Sequence, residues 1–343
     1  MSAMTARRTP KITVFLPVRG AAPHLGAAID SILQQTFGDF ELLIVDDGAD
    51  RAAVELIARS SDPRIRFVQR EPAKGVAGAI VAGLALARGD LVAFMVPDGI
   101  SHPKRLAREA AFLDNHPDYA AVSTWVDWID ETGRRKRIKR KPVAADEIAA
   151  RRLFRSGIEH VASLARIAVV REHIEPNIST GSADFDLWAR IASRHKLSNL
   201  PEVLLTRRID GTTATDPEVR KTERQEIYRL QLADLDIQFT DDDLRRHFLL
   251  RRMRKEEFLP DRAFLSWAEG WLRQLQTANA PYRLYPEPVF SEVLGTYWVK
   301  VCWHASRRIG WSSAWRAFCA SPLRRWAWPG LRRQIFRRWT GSF

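Results

Sequence analysis

At 343 residues the chain is too long for one ordinary domain, so either one large domain with an appendage or two domains is expected. Hydrophobic residues at 45% and charged residues at 28% exclude disorder, collagen and a coiled coil as descriptions of the whole chain. The 54 Lys and Arg against 41 Asp and Glu leave a net charge of +13, a surface suited to an anionic partner such as a nucleotide, a nucleic acid or an acidic lipid. The basic start, Met1 to Lys11, runs into a strand pattern with no apolar stretch behind it, so no secretory signal is expected. Lys11–Val18 is a short β-branched run ended by Arg19-Gly20, and an amphipathic stretch follows from Ala22 to Thr36. Strand patterns recur at Glu41–Asp46, Arg64–Gln69 and Leu91–Val96, with helical patterns at Arg51–Arg59, Gly75–Arg88 and Pro103–Asn115 between and after them. This alternation predicts an α/β fold with a mostly parallel sheet covered by helices on both faces. The strands are apolar without alternation, as strands buried on both sides are.

Near Thr240 the character changes. Thr240-Asp-Asp-Asp reads as a helix start with an acidic first turn, and from there the chain is helical and rich in Trp, Leu and Arg. The expected division is therefore residues 1–237 and 238–343. The longest small-apolar stretch, Val76–Ala87, carries two glycines and is far short of the ~20 residues of a membrane span, so no transmembrane helix is expected. Cys302 and Cys319 have no metal-ligand spacing and cannot make a disulfide framework, which points to a reduced, cytoplasmic setting.

In an open parallel sheet, ligands bind at the carboxyl ends of the strands. Three strands end there in Pro17-Val-Arg-Gly20, Val45-Asp-Asp-Gly48 and Val96-Pro-Asp-Gly99. Acidic residues at two of these three ends would serve a ribose or base and a divalent cation; Asp-Gly as a plain turn is the alternative. A dinucleotide Gly-x-Gly-x-x-Gly, a P-loop, a Gly-x-Ser-x-Gly elbow and a His-Glu-x-x-His are all missing. The eight histidines are scattered and are left as surface or core residues.

From about Lys11 to Thr213 the chain resembles a family 2 glycosyltransferase of the GT-A fold. The resemblance rests on Pro17-Val-Arg-Gly, Ser31-Ile-Leu-Gln-Gln-Thr-Phe37, Phe40-Glu-Leu-Leu-Ile-Val-Asp-Asp-Gly48 and Lys74-Gly75, in that order. It continues through Pro97-Asp98, Pro103-x-Arg105-Leu106, Phe112-Leu113 with His116-Pro117, Gly181-Ser-Ala-Asp-Phe-Asp-Leu-Trp-Ala-Arg190 and Leu200-Pro-Glu-Val-Leu-Leu205. The resemblance implies inverting transfer of a sugar from a nucleotide diphosphate sugar to an acceptor hydroxyl. It implies that Asp47 accepts the imino hydrogen of the base and that Pro17 and Arg19 line the same pocket. Asp46 and Lys74 fall on the same nucleotide-sugar side. It places Asp98 on the metal motif, holding Mg²⁺ or Mn²⁺ weakly, and Asp184 as general base.

Several family positions differ. Val96 stands for the first metal-motif Asp, Ile80-Val81 for an Arg-Asn pair facing the diphosphate, and Ala183 for the Glu before the base. Asp210 stands for a late His and, as a hard oxygen donor, would add to the metal set. Asp186 and Arg190 are spaced as an i,i+4 ion pair, and Trp188 reads as core. The expected role is in cell-surface polysaccharide or lipid-linked glycan synthesis, with a glycan or lipid-linked acceptor. A catalytically silent glycosyltransferase-like binding module is the alternative. No nucleic-acid motif supports a nucleic-acid partner.

From Gly295 to the end, ten Lys and Arg meet no Asp or Glu, and seven of the twelve Trp lie there. That composition predicts docking on an anionic membrane surface, peripheral at the inner face, with Pro329-Gly330 breaking the segment into two amphipathic pieces.

Overall fold

The structure, a computed structural model, describes residues 9–69, 75–174, 182–209, 217–253 and 258–339. The first half alternates as its sequence pattern requires: β1 (Ile12–Gly20), α1 (Leu25–Leu33), β2 (Phe40–Ala49), α2 (Arg51–Ala58), β3 (Ile65–Gln69), α3 (Gly75–Leu86), β4 (Leu91–Phe94), β5 (Gly99–Ser101) and α4 (Arg105–Asn115). There follow β6 (Tyr119–Ile129), β7 (Arg135–Lys139), α5 (Ala145–Arg151), a 3₁₀ turn (His160–Ala162), β8 (Ser163–Arg166), α6 (Ile167–His173), α7 (Ala183–Arg194) and β9 (Lys196–Arg208). The remainder is helical: α8 (Pro217–Ala233), α9 (Asp241–Arg252), α10 (Arg262–Tyr282), α11 (Val289–Ile309), α12 (Trp311–Ala320) and α13 (Arg324–Trp339).

The strands form one sheet in the order β3-β2-β1-β4-β8-β6-β9-β5, with β7 paired to β6. The run β3-β2-β1-β4 is parallel throughout, and β6 and β9 are parallel as well; β8, β5 and β7 join antiparallel. Alternate residues of β1 serve opposite faces. Ile12, Val14, Leu16 and Val18 pack in one core with Ile29, Ile57, Leu106 and Leu113 of α1, α2 and α4. Phe15 faces the other way, against α3, so closely that a Cβ on Gly83 would run into the Phe15 ring. Only glycine permits that approach.

The chain divides into two compact units, residues 1–144 with 158–214 and residues 145–157 with 215–343. The first unit holds the sheet. The second holds α5 and α8–α13, so α8, which the sequence reading kept with the first half, lies among the helices. Within the helical unit Phe154 stacks on Tyr297 and His247, with ring centroids 4.1 and 5.0 Å apart, and Tyr228 Oη donates to the Phe154 carbonyl. Thr240 caps α9 in a full capping box with Asp243, as an acidic first turn favours.

The C-terminal segment departs from its sequence expectation. Pro329-Gly330 do not split it: α13 is one helix with Pro329 inside it. It packs on α11 backbone to backbone. A Cβ on Gly295 would lie 2.7 Å from the Trp326 carbonyl carbon, and one on Gly330 would lie 2.5 Å from the Glu292 carbonyl oxygen.

Candidate active site

The carboxyl ends of β1 and β2 are set by their register. Val18 pairs with Asp46, then the register slips by one residue before Gly20 pairs with Ala49. Gly48, at φ +96°, turns the chain in a left-handed conformation that suits glycine. Asp46 Oδ1 accepts from the amides of Gly48 and Ala49 at 2.9 and 2.7 Å, so this carboxylate braces the turn. Asp47 sits beside it, only 1% exposed, while Pro17 is half-buried and Arg19 exposed at the end of β1. The structure thus brings Pro17, Arg19, Asp46 and Asp47 to one edge. Lys74 and Asp210 lie outside the described residues.

Asp98 follows β4 on the same side of the sheet, because β4 pairs in parallel with β1 and Met95 N donates to Phe15 O at 3.0 Å. Two parts of the sequence hold that loop. Gln35 Nε2 donates to the Ser101 hydroxyl and the His102 carbonyl, its Oε1 accepts from Leu106 N, and Ser31 Oγ accepts from Ser101 N. Ser31 and Gln35 therefore connect α1 to the segment just after Asp98. From below, the fully buried Arg105 donates to the Phe94 carbonyl at 3.0 Å and pairs with the equally buried Glu109 at 3.3 Å. Burial pushes the Glu109 carboxyl up to about 7 against the pull of Arg105.

Asp98 is itself paired. Its Oδ2 accepts from Arg207 Nε at 3.1 Å, and its carbonyl accepts from Arg208 N at 2.9 Å, where β5 runs antiparallel to β9. Asp184 lies exposed in the first turn of α7, with Oδ1 accepting from Phe185 N at 2.8 Å. It shares an electrostatic neighbourhood with Glu159, His160 and Arg207. Burial holds the His160 imidazole below its ordinary range; Asp184 and Glu159 favour its charged form and Arg207 opposes it. Burial alone would raise Glu159, but Lys139 at 2.6 Å and Lys141 at 3.7 Å outweigh that and hold it low, with Asp184 again opposing. The His160 ring lies on Phe94, at the end of β4, with centroids 4.2 Å apart.

Asp186 and Arg190 form the i,i+4 ion pair at 2.8 Å, and Trp188 is buried against Phe94. Ile80 is buried in α3, so an apolar core side chain stands where the resemblance expects Arg. Sequence reading did not single out Glu159, His160 or Arg207. Arg207 was visible only as one of the Arg207-Arg208 pair at the end of a strand, and His160 as one of eight scattered histidines.

The candidate site thus presents Asp47 and Pro17 at one strand edge, a paired Asp98 and a carboxylate at a helix start. Residues 13–173 match Glycosyl transferase family 2. The chain carries a family 2 glycosyltransferase domain. That match includes Asp46, Asp47 and Asp98 and ends before Asp184. Over 242 residues the chain is 28% identical to the amylovoran biosynthesis glycosyltransferase AmsE of Erwinia amylovora, covering 67% of this chain and 87% of that one. It is 28% identical over 211 residues to an uncharacterized glycosyltransferase of Methanocaldococcus jannaschii, covering 60% and 71%. S. aureus TarS residues 1–349, solved in complex with UDP-GlcNAc, superposes with a TM-score of 0.55 at 17% identity, covering 88% of this chain and 92% of that one. The fold is GT-A and the protein is a transferase enzyme of this family. No helix among the described residues is long and apolar enough to cross a membrane.

Proposed function

We propose that this family 2 glycosyltransferase moves a sugar, with inversion, from a nucleotide diphosphate sugar to an acceptor hydroxyl. The observation that carries the reading is the placement of buried Asp47 at the end of β2 and of Asp98 after β4, on either side of β1, with Asp184 at the start of α7 acting on the same His160 as Arg207, the partner of Asp98. The UDP-GlcNAc bound by TarS supports a nucleotide-sugar donor, and the part of AmsE in amylovoran biosynthesis supports polysaccharide synthesis.

In this reading Asp47 accepts a hydrogen bond from the base, in a site dry enough for that bond to discriminate. Pro17 and Arg19 flank it. Arg207, 3.1 Å from Asp98, supplies positive charge toward the diphosphate, where Ile80 and Val81 supply none. Asp98 offers one hard oxygen donor besides its contact to Arg207, which fits an Mg²⁺ or Mn²⁺ arriving with the donor's phosphates rather than a cage made by the protein alone. Such an ion, when bound, would neutralise the leaving diphosphate. The acceptor oxygen attacks the anomeric carbon, the bond from that carbon to the phosphate oxygen breaks, and the diphosphate leaves with the electron pair. Asp184 takes the acceptor proton; its exposure at the edge of the site suits a group that must meet a second substrate.

Membrane docking belongs to the same proposal. Trp303, Trp311, Trp315 and Trp328 are each more than half exposed, and Arg307, Arg308 and Arg316 lie exposed among them on α11 and α12. Indole rings favour the headgroup level, and arginines favour an acidic leaflet. A lipid-linked acceptor is confined to that surface.

The test is release of nucleoside diphosphate from a panel of nucleotide sugars by the purified protein. Turnover of at least one donor is expected. Binding of a donor with no turnover of any would instead favour a silent binding module, a reading to which the Asp98–Arg207 pair lends weight.

A further inference from the structure

Away from the donor edge, α6 and α7 end side by side. His173 is the last residue of α6, and His195 follows the last turn of α7, its amide donating to the Ile191 carbonyl at 2.8 Å. Glu172 stands next to them, and one ligand-type atom from each of the three lies within 4.8 Å of the others. His173 is only 8% exposed. Its Nδ1 meets the Val169 carbonyl at 2.9 Å, so this nitrogen carries the hydrogen and donates. The lone pair is then on Nε2, a buried atom with no hydrogen-bond partner. A backbone carbonyl that fixes the tautomer and aims the opposite nitrogen is the usual support of a metal-bound imidazole. The two rings meet edge to face, with centroids 5.1 Å apart. The carbonyl end of α7 adds negative potential.

We propose that Glu172, His173 and His195 form a transition-metal site, selective for Zn²⁺ over Mg²⁺, that ties the end of α6 to the end of α7. Two imidazoles and one carboxylate are the donor set of a four-coordinate zinc with a water in the fourth place. Donor atoms about 2.0–2.1 Å from a tetrahedral ion lie about 3.4 Å from one another. Glu172, exposed at the surface, is the ligand that turns inward to close the set. Ten residues of helix separate Asp184 from Arg194, so the ion sits about 15 Å from the proposed base. Its role is to hold the helix that carries Asp184, not to take part in transfer.

The probe is Zn²⁺ alone, titrated calorimetrically into tag-free, chelator-treated full-length protein, with metal content and the thermal midpoint as separate readouts. One Zn²⁺ per chain and a midpoint raised by Zn²⁺ are expected. Because His173 is buried, the decisive variants are the more accessible Glu172→Gln and His195→Gln. Each should weaken Zn²⁺ about 10-fold or more and abolish the midpoint shift. Asp98→Asn, in the donor site, should leave both unchanged. No stoichiometric Zn²⁺ binding in the wild type would overturn the proposal, and so would binding unchanged in both variants or lost in Asp98→Asn.

Discussion

The two carboxylates of Val45-Asp-Asp-Gly48 are neighbours with different work. Asp46 spends an oxygen on the amides of Gly48 and Ala49, while Asp47 is buried at the strand end. Removing Asp47 as an acceptor should therefore cost about 1–3 kcal/mol of nucleotide affinity. Calorimetric titration of Asp47→Ala with nucleoside diphosphates checks this, and unchanged affinity would contradict the assignment. Two other buried groups set the pH range of stability. Glu109, up at about 7, keeps a proton that the unfolded chain, near 4.5, has already lost. The contribution of Glu109 to stability should be lost as pH rises through that window, and Glu109→Gln should remove this loss. His247, fully buried, accepts from Trp271 Nε1 and donates to the Leu153 carbonyl; burial pushes it down to about 4. The unfolded chain takes up that proton first, near 6.5, so the contribution of His247 is lost as pH drops from about 6.5 to about 4, opposite in sign to that of Glu109. Because the two contributions oppose each other between about pH 4.5 and 6.5, urea midpoints across pH 4–9 are compared for the wild type and Glu109→Gln: the variant's midpoint should rise more steeply with pH in that window, and parallel profiles would contradict the Glu109 contribution.

At the scale of elements, the close crossing of α11 and α13 makes a sharp demand. Gly330→Ala or Gly295→Val would drive a side chain into backbone and should cost about 1–3 kcal/mol by overpacking. Thermal or urea unfolding measures it; wild-type stability in both variants would show that the helices do not cross there. The strands from Ile12 to Phe94 were legible because each is a short apolar run bounded by Gly, Asp or Pro, and their parallel pairing follows from the helices between them. Less legible were β6, β8 and β9. Their pairing is mixed, and Ser, Thr and Asn of β6 and β9 are buried, so hydrophobic pattern alone does not mark them. Residues 145–157 join the helical unit across a long sequence gap, which no local pattern announces. At the site, Asp47, Asp98 and Asp184 could be named from motif position. The Arg207 partner of Asp98 could not, because it comes from a strand more than a hundred residues later. The continuity of α13 was hidden by Pro329, whose helix-breaking tendency is offset by the contacts of Gly330 on α11.

For the molecule as a whole, the two units differ chemically: the sheet unit carries Asp47, Asp98 and Asp184, and the helical unit has a basic, Trp-rich exposed surface. Membrane docking is best tested without cutting the chain, since removing α13 would strip cover from α11. Trp311→Ala with Trp315→Ala should reduce flotation with anionic liposomes while leaving the fold intact, and high salt should weaken wild-type binding. Flotation equal to wild type would place the contact elsewhere. The central claim, that a site of Asp47, Asp98 and Asp184 transfers a sugar with Asp184 as base, has one direct measurement. Once a donor is identified, transfer and donor affinity are measured together for Asp184→Asn, which keeps shape but cannot take the proton. A fall of roughly 10²–10⁴-fold in transfer at unchanged donor affinity is the expected result; transfer at the wild-type rate would contradict the account.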